Sequence, residues 1–213
     1  WSPRLYRPLL IALKSQFLDT ARHYGQLGEH GGQFAAFLTY VALDPVDSYT
    51  RQDFQAAIGA LPREGLHESA QALVQVLEGA GEQREDNWRN RIQPFWQYIW
   101  PKTRELTSDS ISKSLARLSI AARGEFPSAL SEVLDWLQPI EHPHYIIRLL
   151  HQSGLAGRFP KDSLRLLNAI LADQQWARKE LGQCLETISQ AAPELLQDYR
   201  YQRLIEYFRR RGI

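Results

Sequence analysis

Apolar residues recur along this chain at helical spacing and nowhere alternate with a period of two. Leu5, Leu9, Leu13 and Phe17, following Pro3, predict a first helix to about His23, which Gly25, Gly28, Gly31 and Gly32 break. Phe34, Phe37, Leu38 and Val41 predict a second, stopped at Asp44-Pro45 because proline disfavours helical geometry in the residue before it. Thr50 and Asp53 have the spacing of a capping box ahead of Phe54, Ala57, Ile58 and Leu61. Leu66, Ala70, Leu73, Val74 and Leu77 make a fourth helix, ended by Gly79 and Gly81. A fifth holds five rings, Trp88, Phe95, Trp96, Tyr98 and Trp100, punctuated by Pro94 and closed by Pro101.

Beyond that segment Ser108 or Asp109 caps a sixth helix, with Ile111, Leu115, Leu118 and Ala122 on one face and Gly124 at its end. Pro127 suits the first turn of a seventh that buries Leu130, Val133, Leu134 and Leu137. An eighth runs through Tyr145, Ile146, Leu149 and Leu150, and a ninth through Leu164, Leu167, Ile170 and Leu171. Leu181, Cys184, Leu185 and Ile188 form a tenth, and Leu195 to Phe208 an eleventh that opens at Pro193. About eleven helices and no strand predict an all-α fold with antiparallel neighbours, forming one helical domain over 1–213 with a possible sub-boundary near 79–87. Phe126-Pro127, Phe159-Pro160 and Ala192-Pro193 each open a helix, with the prolines 33 residues apart. That is the length of one helical hairpin, so the array is either solenoid-like, in the manner of HEAT or TPR repeats, or an irregular bundle.

With 213 residues, 44% of them hydrophobic, the chain can fill a substantial core. Twenty-five basic against 24 acidic residues leave a net charge of +1, so any nucleic-acid or anionic membrane contact must come from a local patch. The single cysteine fits a reducing compartment, no apolar run is long enough to span a bilayer, and the first residues lack the apolar core of a signal peptide. A cytoplasmic protein with no membrane association is expected. There is no methionine, which reads either as an excerpt from a longer polypeptide or as a sequence from which modified methionines are missing.

Candidate chemistry is sparse. Glu141, His142, His144 and His151 are the densest set of metal-ligand types, yet no second ligand pair with zinc spacing accompanies them, and a turn followed by a helix start explains them as well. Glu64-x-x-His67 is half of a di-iron signature whose other half is absent. Cys184 is in phase with Leu181 and Ile188, which marks a buried thiol, and the glycines at 25–32 lack the strand and the Lys-Ser/Thr of a phosphate loop. No catalytic residue and no cofactor are expected. Arginine supplies twenty of the 25 basic residues. One cluster (Arg84, Arg89, Arg91, Lys102, Arg104) surrounds the rings, where cations and aromatics together could grip a single strand, and another (Arg200, Arg203, Arg209, Arg210, Arg211) closes the chain. Protein contact explains the same mixture without a strongly basic domain. The expected contact surface therefore comprises Trp88, Arg91, Trp96, Trp100, Arg104, Arg209, Arg210 and Arg211.

The run Asn87-Trp88-Arg89, then Ile92, Phe95, Ile99-Trp100-Pro101, then Phe126-Pro127 and the Leu-rich hairpins, resembles the helical C-terminal region of large bacterial proteins with a sirtuin-like N-terminal domain, many linked to phage defence. The likeness covers residues 60–213 and lies in packing positions. It implies a sensing, scaffolding or oligomerising role, with any catalysis elsewhere in the polypeptide. The expected function is a non-enzymatic interaction domain whose partner is a protein or another domain of the same chain. Nucleic-acid binding through the arginines and a metal-dependent activity at the histidines are the alternatives.

Overall fold

The computed structural model describes residues 31–44, 50–171 and 179–210; the helix expected between Leu5 and His23 lies outside them. Among the described residues the fold is all-α, with no strand. The chain divides into two compact units, Trp1–Leu106 and Thr107–Ile213. The segment at 79–87, where a sub-boundary was expected, lies inside the first.

In the first unit, α1 (Gly31–Leu43) packs along α3 (Arg63–Gly79), and α2 (Arg51–Gly59) lies against α1. The start of α2 is the predicted capping box: Asp53 N–H donates to Thr50 Oγ1 at 3.2 Å, and Thr50 N–H donates to Asp53 Oδ2 at 2.8 Å. These bonds satisfy two amides that a helix start would otherwise leave unpaired. Small residues let α1 and α3 approach closely. Thr39 and Ser69, both buried, place their hydroxyl oxygens 2.7 Å apart, while Thr39 Oγ1 also donates to Ala35 O at 2.8 Å.

The aromatic stretch is not one regular helix. A 3₁₀ turn (Gly81–Gln83) leads into α4 (Arg84–Asn87), a π-helical turn follows at Trp88–Ile92, and α5 (Gln93–Tyr98) completes it. In the π turn Gln93 N–H reaches back five residues to Trp88 O. Pro94 supplies the reason: it has no N–H for the carbonyl four residues earlier, and its ring presses on that carbonyl. Widening the helix just before the proline relieves both.

The second unit begins at α6 (Asp109–Ala121), where Ser108 Oγ accepts from Ile111 N–H at 3.3 Å as the predicted N-cap. It continues through α7 (Phe126–Val133), α8 (His144–Gln152), the short α9 (Leu155–Arg158), α10 (Pro160–Ile170), α11 (Lys179–Ala191) and α12 (Tyr199–Arg210). Helix α7 is shorter than expected: it tightens into a 3₁₀ turn at Leu134–Trp136, and Leu137 is already extended. The last expected helix also splits. A 3₁₀ segment (Pro193–Gln197) precedes α12, and Asp198, extended between them, accepts the Arg200 N–H at 2.8 Å. Helix α8 packs on both α6 and α11, and α10 on both α7 and α12. The common core includes Phe126, Leu130, Ile146, Leu150, Leu164, Leu167, Leu185 and Ile188.

The proline positions of the 33-residue spacing are not identical in geometry. Phe159 (φ −133°, ψ 65°) and Ala192 (φ −144°, ψ 79°) share a non-helical entry, whereas Phe126 (φ −51°, ψ −45°) is already helical. The Phe126 and Phe159 rings still meet, with centroids 6.2 Å apart.

Candidate functional site

The expected contact surface centred on Trp88, Trp96 and Trp100 is corrected by their burial: they are 0%, 4% and 1% exposed. The reason is helical phase. Trp96 and Trp100 lie four apart, and their indoles stack with centroids 4.7 Å apart and planes at 16°. Phe95 and Ile92 are buried beside them in sequence. Of the five rings only Tyr98 stands out, 51% exposed, with the Arg51 guanidinium 4.6 Å from its ring centroid.

The cations around the rings serve the fold. Arg84 Nη2 donates to Glu78 O at 3.1 Å, closing the end of α3, and Lys102 Nζ donates to Gln97 O at 2.8 Å, closing α5. These are favourable positions for positive charge, since helix C-termini carry partial negative charge. Arg91 reaches Asp44 at 2.9 Å and Asn87 Oδ1 at 2.7 Å, and Arg89 reaches Asp86 at 3.0 Å. Arg104 is exposed.

The C-terminal arginines divide in the same way. Arg200 clasps Asp198 through Nε at 2.9 Å and Nη2 at 2.5 Å, and those hydrogen bonds lower the Asp198 pKa to about 2. Arg203 Nη2 donates to Asn168 O at 3.0 Å and Leu171 O at 3.2 Å, closing the end of α10. The side chains of Arg209 and Arg210, and all of Arg211, lie outside the described residues.

At the histidine cluster, the His142 and His144 rings are tilted with centroids 6.3 Å apart, and His142 and Glu141 are exposed. Among the described residues no group of three or more His, Cys, Asp or Glu side chains could hold a metal ion. Asp109 nearby is committed to structure: it accepts the Glu141 N–H at 2.7 Å and pairs with Lys113 at 2.7 Å. Burial raises its pKa, but these two hydrogen bonds outweigh that and hold it below the usual carboxylate value. His67 hydrogen-bonds Gln71 at 2.8 Å on α3. Cys184 is buried as expected; burial, reinforced by the Glu180 charge, pushes its pKa up to about 12.

What the sequence reading missed is a set of exposed tyrosines. Tyr145 is 39% exposed on α8, with Arg148 Cζ 5.5 Å and Arg117 Cζ 6.0 Å from its ring centroid. Tyr199 is 74% exposed, with Arg200 at 5.6 Å. The apolar pattern groups Tyr145 with Ile146, and only the neighbouring Arg148 hints at its orientation.

No described protein family matches the chain, and no solved structure matches it. The chain is similar to an uncharacterised protein, y4cA, of Sinorhizobium fredii (strain NBRC 101917 / NGR234), 28% identical over 130 residues. The match covers 60% of this chain and 11% of that protein, so the chain spans only a small part of the relative's length. No described helix is long and apolar enough to cross a membrane.

Proposed function

We propose that this chain is a non-catalytic helical contact region of a larger cytoplasmic polypeptide, acting as a scaffold or sensor through protein surfaces. The observation that carries the reading is the set of arginine-backed tyrosines. Tyr98, Tyr145 and Tyr199 are, with Leu196, the large apolar side chains most open to solvent among the described residues, and each tyrosine ring lies close to a guanidinium. Tyrosine and arginine are the residues that most often anchor protein interfaces, since both contribute large contact area together with polar groups. The paired contacts of α8 with α6 and α11, and of α10 with α7 and α12, support a short solenoid-like stack in the second unit. The much greater length of y4cA supports a place within a longer protein.

Nucleic-acid binding is the lesser reading, because Arg84, Lys102, Arg200 and Arg203 already close helix ends or clasp a carboxylate. A role beside a sirtuin-like domain in phage defence rests on the resemblance alone. Photo-crosslinking tests the contact reading. With a benzophenone amino acid replacing Tyr98, Tyr145 or Tyr199 in the full-length protein, at least one site should give a discrete crosslink in cells, and a control at exposed Ser131 should give none. Failure of all three tyrosine sites would remove it.

A further inference from the structure

Helix α8 contains no acidic residue. Ile146, Ile147 and Leu150 turn into the core, which leaves Tyr145, Arg148 and Gln152 as an exposed stripe along its outer face. Arg148 is exposed and makes no ion pair among the described residues; what engages it is the Tyr145 ring, with Arg117 of α6 approaching the same ring. Asp109, the one acid on α6, pairs with Lys113 at 2.7 Å.

A guanidinium held against an aromatic ring keeps its N–H donors free at its edge, in the fork that matches a carboxylate. The ring also restricts the side chain before any partner arrives, so less freedom is lost on contact. We infer that the Tyr145–Arg148 stripe docks an acidic, carboxylate-bearing segment of a protein partner; this rests on the contact reading above and adds the partner's chemistry. A nucleic-acid strand fits the stripe less well. A base would need the ring faces that the guanidinium groups approach, and following a strand needs a longer cationic groove.

The test is a fluorescence-anisotropy titration of the whole chain with labelled deca-glutamate, deca-glutamine and deca-thymidylate. Deca-glutamate should bind saturably and deca-glutamine should not. Arg148→Gln should weaken deca-glutamate binding about tenfold, the scale of one lost charge-assisted contact. Tyr145→Phe, which keeps the ring, should leave binding unchanged, whereas Tyr145→Ala should weaken it. Arg123→Gln, at an exposed arginine on another turn of the same unit, should have no effect. Circular dichroism of each variant should match the parent. The proposal is overturned by absent deca-glutamate binding, by equal losses from Arg148→Gln and Arg123→Gln, or by tighter, Arg148-dependent binding of deca-thymidylate. Peptide failure alongside a Tyr145 crosslink would remove the acidic partner and leave the contact reading standing; peptide failure together with failure of all three tyrosine crosslinks would remove both.

Discussion

Trp96 and Trp100 stack one helical turn apart, 4.7 Å between ring centroids, in the interior of the first unit. Trp96 belongs to α5 and Trp100 to the turn after it, so the stack fixes how the chain leaves the helix. Replacing either indole with alanine should cost about 3–5 kcal/mol, the range for deleting a buried aromatic side chain. Urea unfolding would measure it. A loss below about 1 kcal/mol, the scale of ordinary surface changes, would mean that the rings are not core.

Arg123 sits at φ 57°, in the left-handed region, just after α6. A side chain there crowds the following carbonyl, whereas glycine does not. Arg123→Gly should therefore stabilise the protein by about 1 kcal/mol, read as a higher thermal midpoint. A lower midpoint would show that the arginine side chain offsets the strain.

Asp198 adds an acid-dependent element. Its hydrogen bonds from Arg200 hold its pKa at about 2, below the unfolded value near 3.9. The folded state thus binds this proton more weakly than the unfolded state. The resulting stabilisation is present above the unfolded pKa and is lost as pH falls through the folded pKa. Between pH 5 and pH 2, Asp198→Asn should show a smaller fall in unfolding free energy than the parent. Parallel curves would contradict the pairing.

Cys184 should be inert in the folded state, because its thiolate is disfavoured by burial and by Glu180. A thiol reagent such as Ellman's should react at the rate of unfolding and immediately in denaturant. Rapid labelling of the native protein would contradict this.

Local rules made much of the fold legible. The Thr50–Asp53 box, the Ser108 cap and the stops near Asp44 and Gly79 depend on neighbours in sequence, and the structure places each as the pattern predicted. The π turn before Pro94 and the break at Asp198 were hidden, because apolar spacing continues through both. The roles of the arginines were also hidden: Arg203 is 35 residues from Asn168, whose carbonyl it caps, and no local pattern encodes such a pairing. The dense rings misled for a related reason. Stacking and burial consume aromatic residues as readily as a partner does, and only the packing of whole helices decides which face remains open.

Hydroxyl-radical footprinting of the purified chain and of the full-length protein in cells tests the central claim most directly. In the purified chain Tyr98, Tyr145 and Tyr199 should be oxidised readily while Trp88, Trp96 and Trp100 stay protected, and in cells at least one of the tyrosines should become protected too. Tryptophan oxidation as fast as that of Tyr199, or tyrosines equally open in both settings, would contradict the account.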